Sequence, residues 1–306
     1  MGGRVADEFV GHRLDSYLAF RLPFHSRSRW KQLLGDGQIL LNGAQAKGST
    51  KIKLGDELFL VPTEEPEVNC HIEQLYHSDG VMAVYKPAPL PMHENGKYFR
   101  NTLAHLVREK FGPQWGHVHR LDLETSGIVL FGDSDSMLHS LSELFSQQKI
   151  KKEYLLIVNR VPEEDSWTVD APIGDLVESE IRIKKWINCD GQYAETDFET
   201  LERGKRFAVL RARPKTGRTN QIRIHAAHSG HLIVGDKLYH PEERVFLSYY
   251  EGKNIEWVHE KTGFSRLCLH AASLKFLHPK NGTPINIEIP LSDDLKGLWQ
   301  KIKNLS

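Results

Sequence analysis

The chain has 306 residues, of which 40% are hydrophobic and 26% are charged, and its formal net charge at pH 7 is zero. This composition is that of an ordinary globular protein, and the length suggests about two domains. The zero net charge excludes a global field that would draw the whole molecule to a polyanion. Any nucleic-acid site must therefore come from local clustering of basic residues.

The cysteines and the apolar segments indicate in which cellular compartment the protein resides. Cys70, Cys189 and Cys268 lie far apart and form no CxxC pair, which is typical of a reducing compartment and not of a disulfide framework or a cysteine-rich zinc site. No apolar stretch approaches the roughly 20 residues that cross a bilayer, and the N-terminus lacks the apolar region of a secretory signal. We expect a soluble, cytoplasmic monomer with no membrane contact.

A proline-containing segment marks the predicted domain boundary. In "VPTEEPEVNC" (61–70), two prolines and three glutamates interrupt helix and strand patterning. We therefore place a small domain at 1–63 and a larger one at 70–306.

The small domain is predicted to hold two helices followed by strands. Apolar residues recur at helical spacing in "RLDSYLAFRL" (13–22), and Ser26 is suited to cap a second helix, "RSRWKQLLGDG" (27–37). "QILLNG" (38–43) reads as a strand that ends in an Asn-Gly turn, and "GDELFLV" (55–61) as a further strand.

Basic residues are concentrated in this small domain. Residues 13–53 hold eight lysines and arginines but only two acidic residues, and such an excess attracts a phosphate backbone. Arg27, Arg29 and Lys31 lie on the second predicted helix, and we take them as candidate substrate contacts. The alternative is an ordinary solvated helix surface.

The larger domain mixes strands and helices without regular alternation. This favours an α+β fold with a mostly antiparallel mixed sheet over a doubly wound fold. Strands are predicted in five apolar or alternating runs: 81–85, 127–132, 153–158, 180–186 and 206–214. Helices are predicted at 101–113, which a Gly-Pro pair ends, and at 136–145, where apolar residues share one face.

Three segments of the larger domain are too polar to be scaffold alone. In "HVHRLDLETSG" (117–127), Asp122 follows Arg120 and precedes a tight turn, where a side chain can be held in a cleft. The alternative is an aspartate that pairs with Arg120 or caps the turn.

The second segment, "KTGRTNQIRIHAAHSGHLIVGD" (215–236), opens a short helix that carries Gln221, Arg223 and His225. Arg218 and Arg223 can pair with a carboxylate or grip a phosphate. In the third, "KKEYLLIV" (151–158), Tyr154 enters a strand after a basic run, where it is either a core tyrosine or a stacking platform for a base.

Metal and cofactor chemistry have weak support. The pair His117 and His119, and the series His225, His228 and His231, match no zinc motif. Walker A, strand-linked GxGxxG and GxSxG motifs are absent from the sequence. We expect no metal and no nucleotide cofactor.

Taken together, these motifs resemble those of the RluA family of RNA pseudouridine synthases. "HRLDLETSG" (119–127) is similar to the family's catalytic-aspartate motif, "KKEYLLIV" to its tyrosine motif, and "GRTNQIRIH" with "GHLIVGDKLY" to its arginine motif. "VMAVYKPAPLPMH" (81–93) and "RLCLHAASLKFLHP" (266–279) resemble the opening and closing segments of its catalytic domain. The first domain resembles the RNA-binding module first seen in ribosomal protein S-four, so the likeness covers almost the whole chain.

The resemblance implies a pseudouridine synthase fold and a set of roles. Asp122 would be the catalytic carboxylate, Arg223 its cationic partner, and Tyr154 the residue that stacks on the everted uracil. Arg120 would fill the place that this base leaves. The other residues assigned to substrate binding from the matched motifs are His119, Thr125, Arg218 and Gln221.

The chain departs from the family pattern at Asn220, where relatives usually carry histidine. Asn keeps hydrogen-bonding capacity but cannot carry a charge, and we expect it to orient structure or substrate. The implied substrate is structured RNA, ribosomal or transfer RNA. Two alternatives stay open: a non-catalytic RNA-binding or ribosome-assembly factor with the same fold, and a metal-dependent nuclease that uses the histidines.

Overall fold

The computed structural model describes residues 2–4, 7–22, 26–61, 65–95 and 98–305. The chain divides into two compact units, Met1–Pro66 and Glu67–Ser306, and the division falls within the proline-containing segment 61–70. Residues 62–64 of that segment lie outside the described residues. No helix of the described part is both long and apolar enough to cross a membrane.

The first unit packs two helices with a small antiparallel sheet. Its elements in chain order are β1 (Gly2–Arg4), a 3₁₀ turn (Asp7–Phe9), α1 (Leu14–Arg21), α2 (Arg27–Gly35), β2 (Ile39–Leu41), β3 (Ala44–Gln45) and β4 (Glu57–Leu60). The strand order is β1-β4-β2-β3. Leu14, Trp30 and Leu34 are fully buried between these elements.

Local signals predicted this unit well. The Ser26 hydroxyl accepts the Arg29 N–H at 3.2 Å, which confirms the predicted helix cap. Asn42 and Gly43 have φ angles of +54° and +78°, as the predicted Asn-Gly turn between β2 and β3 requires.

The second unit is built on a large sheet. Its strands are β5 (Glu73–Ser78), β6 (Val81–Lys86), β7 (Gly116–His117), β8 (Ser126–Gly132), β9 (Lys151–Asn159), β10 (Ser166–Asp170), β11 (Ile173–Asp175), β12 (Lys185–Ile187), β13 (Glu195–Arg203), β14 (Phe207–Pro214), β15 (Leu269–Leu277) and β16 (Pro284–Glu288). Its helices are α3 (Leu103–Phe111), α4 (Asp135–Ser146), α5 (Gln221–His228), α6 (Glu243–Tyr250), α7 (Ile255–Thr262) and α8 (Asp293–Ile302).

The sheet is mostly antiparallel, which confirms the predicted α+β class. Its order is β10-β13-β14-β9-β15-β8-β6-β5, with β16 paired to β15 and β7 paired to β8. Among these pairs β8 and β15 alone run parallel, over the residue pairs Ser126–His270 and Ala271–Gly127. β11 and β12 form a separate hairpin.

Gly127 is required at the parallel junction of β8 and β15. Its φ angle is +124°, and a Cβ built on it would lie 2.2 Å from the carbonyl oxygen of Ala271. Any side chain there would separate the two strands. The glycine that ends the "HRLDLETSG" stretch therefore serves the closure of the sheet.

One predicted strand is wrong in part. The alternating run 180–186 was expected to be a strand, but only Lys185–Ile187 are strand residues. The Lys184 N–H donates to the carbonyl of Ile181, which closes a turn, while Ile183 is 59% exposed. The ion pair of Lys184 with Glu243 helps to fix this turn, so the alternation reflects a turn with one buried isoleucine.

Candidate active site

The segments singled out in the sequence meet in one cleft of the second unit. Asp122 lies in the loop between β7 and β8, Tyr154 on β9 and Arg223 in the first turn of α5. The cavity volume is about 190 Å³. It is lined by Arg120, Leu121, Asp122, Thr125, Lys152, Tyr154, Pro214, Thr216, Gly217, Arg218, Thr219, Asn220, Gln221, Ile222, Arg223 and Leu269.

Asp122 is paired with Arg223 across 101 residues of sequence. The Nη1 of Arg223 donates to Oδ2 of Asp122 at 3.0 Å. The Asp122 side chain is 34% exposed, whereas that of Arg223 is 12% exposed. The carboxylate therefore faces the open part of the cleft while its cation lies behind it.

A second aspartate holds the guanidinium in place. Asp236 accepts two hydrogen bonds from Arg223, from Nε and from Nη2, each at 2.8 Å, and its side chain is fully buried. The guanidinium also lies 5.1 Å from the ring centre of Tyr239. Burial lowers the pKa of Arg223, but the charges of Asp236 and Asp122 outweigh it and raise the net pKa above its ordinary value.

Asp236 was not predicted as a site residue. It falls in the quoted "GHLIVGDKLY", but its pairing with Arg223 follows no periodic pattern. Gly235 before it has a φ of +82°, and a Cβ there would lie 1.8 Å from the carbonyl oxygen of Arg266. The glycine lets the chain turn tightly enough to place the carboxylate under Arg223.

Asn220 has a structural explanation. It precedes α5 in the left-handed region, with φ 56° and ψ 19°, where asparagine is one of the better tolerated residues. Its Oδ1 accepts a hydrogen bond from Nη1 of Arg223 at 3.1 Å. Asn220 thus adds a neutral acceptor to the shell around the arginine, in keeping with the orienting position that we expected.

Tyr154 lies on the floor of the cleft and packs against both adjoining parts of the core. Burial and, next, the negative charge of Asp122 raise the pKa of the phenol to about 12. At neutral pH the side chain is therefore a protonated phenol with an apolar ring.

The second acid of the first motif fixes the loop that carries Asp122. Each carboxylate oxygen of Glu124 accepts a hydrogen bond from the ammonium of Lys237 at 2.8 Å. Oε1 also accepts a hydrogen bond from the Tyr249 hydroxyl at 2.7 Å, and Oε2 accepts one from the Leu267 N–H at 3.0 Å. Lys237 is 3% exposed. These bonds tie the loop to α6 and to the start of β15.

Lys86 is a second residue that sequence reasoning did not single out. It is fully buried and its ammonium donates to the carbonyls of Pro87, Leu90 and Leu123 at 3.1, 2.7 and 3.2 Å. Leu123 follows Asp122, so this lysine supports the same loop from beneath. Burial lowers the pKa of Lys86 to about 7, against the charge of Asp122, which raises it. Its place in the quoted "YKP" segment was the available signal.

Gln221 lines the cleft but is occupied by the fold. Its Oε1 accepts from the Thr216 hydroxyl and the Arg218 N–H at 2.7 and 3.0 Å, and its Nε2 donates to the Glu195 carbonyl and the Thr196 hydroxyl, both at 2.9 Å. The amide thereby fixes the loop that precedes α5. These four bonds hold the Gln221 side chain in the wall of the cleft, and its role in substrate binding stays a prediction.

The remaining predicted substrate residues differ in their surroundings. Arg120 is exposed at the rim, and Arg218 donates through Nε to the Tyr193 carbonyl at 2.9 Å. Thr125 lines the cleft, and its buried hydroxyl has no hydrogen-bond partner among the described residues. His119 is not among the lining residues; its Nε2 accepts the Leu130 N–H at 3.1 Å.

Two of the candidate metal-ligating histidines, His119 and His225, are held by protein contacts. Burial lowers the pKa of His119 to about 3, so the ring is neutral. His225 bonds through Nδ1 to the Thr196 hydroxyl and through Nε2 to the Ala171 carbonyl. Within the described ranges, no group of three or more His, Cys, Asp or Glu side chains could hold a metal ion.

The candidate basic residues of the first unit lie on α2. Arg27 pairs with Asp15 at 3.1 Å, Arg29 donates to Gln32 at 2.8 Å, and Lys31 is exposed. Asp15 is 2% exposed, and hydrogen bonds from Arg13 above all lower its pKa to about 2.

Comparison with known proteins gives this fold and site a class. Residues 80–228 match the family described as RNA pseudouridylate synthase, and residues 12–58 match the S4 domain. The fold is also that of the solved human RNA pseudouridylate synthase domain containing 1, at a TM-score of 0.61 and 22% identity over 76% of this chain and 90% of that one. The second unit thus has the fold of a pseudouridine synthase.

Full-length relatives narrow the class. The ribosomal large subunit pseudouridine synthase C of Escherichia coli O157:H7 is 31% identical over 98% of this chain and 95% of its own length. The ribosomal large subunit pseudouridine synthase D of Xanthomonas campestris pv. campestris is 33% identical over 98% of this chain and 91% of its own. The chain belongs to the RluA family of RNA pseudouridine synthases, isomerases that convert uridine in RNA to pseudouridine.

Proposed function

We propose that this chain isomerises specific uridines of large-subunit ribosomal RNA, with Asp122 as the reacting carboxylate. The observation that carries the proposal is the arrangement of Asp122, Arg223 and Asp236. The buried Asp236 fixes the guanidinium, and the guanidinium presents one N–H to a carboxylate that faces an open cleft. The names of the relatives in Escherichia coli and Xanthomonas support ribosomal RNA as the substrate; transfer RNA is the alternative.

The reaction needs a carboxylate and no redox change. The bond from the ribose C1′ to N1 of uracil breaks, the base turns, and C1′ bonds to C5, which loses its proton while N1 gains one. A carboxylate can act in such a sequence as nucleophile or as base. Arg223 donates a hydrogen bond to Asp122 at 3.0 Å and orients its carboxylate.

The target nucleotide must enter the cleft out of its stack. Extrusion of a base costs about a few kcal/mol, and Arg120 at the rim is placed to occupy the position that the base leaves. Tyr154 offers its ring as a stacking surface. Because the pKa of its phenol is about 12, Tyr154 enters the reaction with its proton and serves as a stacking group and hydrogen-bond donor.

The first test follows the proton that C5 loses. RNA transcribed with uridine tritiated at C5 releases tritium to water when the base is isomerised. We expect the wild-type protein to release tritium and Asp122→Asn to release none above background, with RNA binding nearly unchanged. Asp190→Asn, in an exposed loop, is the matched control and should behave as wild type. Normal turnover by Asp122→Asn would refute the role of Asp122.

The second test identifies the RNA. Pseudouridines are mapped in the large-subunit ribosomal RNA and in the transfer RNAs of cells with and without the gene. We expect one or more sites to disappear from the large-subunit RNA. Loss of sites only from transfer RNA would move the substrate to that class, and loss of none, together with RNA binding, would favour the non-catalytic alternative.

A further inference from the structure

Three lysines of the second unit, Lys86, Lys184 and Lys237, are buried, and a fourth, Lys152, is partly buried. Lys184 is neutralised by the carboxylate of Glu243. Lys86 donates to three carbonyl oxygens, which uses all the donors of an ammonium. Lys237 is neutralised by the carboxylate of Glu124 and also donates to the Ser265 carbonyl. Lys152 has neither arrangement.

Lys152 is the exception because it has neither a counter-charge nor a full set of hydrogen-bond acceptors. Its Nζ donates to the Thr216 carbonyl at 3.1 Å, and within the described ranges it forms no ion pair with a carboxylate. Burial lowers its pKa to about 8. A cation that has lost water without gaining an anion is unfavourable, so the fold keeps it at a cost in stability.

The position of Lys152 shows where a counter-charge could come from. Lys152 and Tyr154 are two residues apart on β9, so their side chains point to the same face of the sheet, and both line the cleft. They are about 7 Å apart along the strand. A nucleotide whose base stacks on Tyr154 has its backbone phosphates at a comparable distance from that base.

The loop around Lys152 is fixed in advance. The Thr216 hydroxyl is bonded to the buried amide of Gln221, so the carbonyl that orients the ammonium has a set position. Gly217, the next residue, contributes no side chain to cover the ammonium. Two of the three N–H donors of Lys152 are thereby left for a ligand.

We propose that Lys152 is a phosphate-binding residue of the cleft and pairs with a phosphodiester oxygen of the RNA next to the everted uridine. This inference rests on the proposed function, since it takes Tyr154 as the platform for the base. Arg218 lines the same cleft and meets a more distant phosphate. Lys152 positions the nucleotide and takes no part in the bond changes at C1′.

The pH behaviour follows from the groups around the cleft. The titratable or charged side chains that face it are Asp122, Tyr154, Arg120, Arg218 and Arg223, and His119 also senses the charge of Lys152. The arginines stay charged and Tyr154 stays protonated well above neutral pH. Lys152 is charged below about pH 8 and neutral above it, so RNA affinity should fall as the pH rises through that value.

The experiment compares salt dependence and pH dependence in the full chain. Binding to a transcript of large-subunit ribosomal RNA is measured by fluorescence anisotropy over a range of KCl concentrations for wild type, Lys152→Met, Lys152→Arg and Lys151→Met. Lys151 is the matched control, because it adjoins Lys152 but points to the opposite face of β9 and is exposed.

We expect Lys152→Met to lower affinity about tenfold at neutral pH and to reduce the slope of log K against log salt by about 0.7 to 0.9, the value of one phosphate contact. Lys152→Arg should keep the slope but lose the fall in affinity above about pH 8, because arginine does not deprotonate there. Lys151→Met should match wild type in both respects.

Two outcomes would overturn the inference. An unchanged salt slope in Lys152→Met would show that no phosphate contact was lost. Loss of tritium release in Lys152→Met with normal binding would instead make Lys152 a group that acts in the chemistry. Binding is measured independently of turnover, so failure of the proposed function, seen as no tritium release by wild type, is distinguishable from failure of this inference.

Discussion

Each unit of the chain contains a cluster of aspartate and arginine, and the two clusters are built in opposite ways. In the second unit one arginine, Arg223, is shared by two acids, of which Asp236 is buried and Asp122 is 34% exposed. In the first unit one buried acid, Asp15, is shared by Arg13 and Arg27, whose side chains are 44% and 55% exposed.

The two units therefore expose opposite charges. The second unit buries the guanidinium and leaves partly exposed a carboxylate, the group that we propose to react. The first unit buries the carboxylate and exposes two guanidinium groups, which suits contact with phosphates. In both clusters the buried acid holds an arginine in place, and the partly exposed group is the one that solvent reaches.

The largest effect is expected from Asp236→Asn. The change keeps the shape of the side chain but leaves the buried Arg223 with Asp122 as its only carboxylate, so we expect unit 2 to lose about 3–5 kcal/mol of unfolding free energy. Asp122→Asn should cost less than about 1 kcal/mol because that carboxylate is partly solvated. Urea unfolding measures both. Equal losses would contradict the division of roles between the two acids.

Arg223→Lys tests whether geometry matters beyond charge. Lysine keeps the cation but cannot make the paired bonds to Asp236 while reaching Asp122, so the carboxylate loses its fixed partner. We expect kcat for tritium release to fall on the order of 100-fold, with the fold retained by circular dichroism. A lysine variant with wild-type kcat would show that a point charge is sufficient.

Two substitutions of Asn220 separate the effect of backbone strain from the effect of the contact with Arg223. Asn220→Ala removes both the αL-tolerant residue and the acceptor, and should cost about 1–2 kcal/mol in stability. Asn220→Gly keeps the backbone conformation and removes only the acceptor, so its stability should stay near wild type while kcat falls about threefold to tenfold. Paired unfolding and tritium-release measurements on the two variants check this. If the two variants had the same stability, the left-handed backbone at position 220 would not strain an alanine there.

The smallest effect concerns acid stability of the first unit. The pKa of Asp15 is about 2 when folded and 3.8 ordinarily, so its ion pairs stabilise the unit above about pH 4 and are lost as the pH falls toward 2. Because both arginines are partly exposed, we expect on the order of 1 kcal/mol. Hydrogen exchange of the first unit, measured as a function of pH in wild type and in Asp15→Asn, tests this prediction. The variant should lack the loss of stability at low pH.

Local rules predicted most of the scaffold. Apolar runs such as 127–132 and 206–214 are strands because their period and β-branched content leave few alternatives, and Ser26 and the Asn42–Gly43 pair act through contacts a few residues away. The run 180–186 misled because alternation over so short a segment also arises from a turn that buries Ile181.

The site was harder to predict than the scaffold. The resemblance pointed to Asp122, Tyr154 and Arg223, and the structure brings these three side chains to one cleft. The resemblance did not identify Asp236 and Lys86, the buried residues that support the site. These residues act through tertiary contacts, which no local sequence period encodes. The internal bonds of Gln221 were also not predicted, because its four partners come from two separate segments of the chain.

The glycine at 127 has a consequence for how proteins of this kind diverge. Within the single stretch 117–127, one residue is the carboxylate that we propose to react, and another, five positions later, allows two strands to join. A descendant that abandoned catalysis would be free to replace Asp122 while still needing Gly127 to fold. We expect such inactive descendants to keep the glycine at position 127 and to carry a different residue at position 122. The residue at position 122 would then distinguish an active enzyme from an inactive relative.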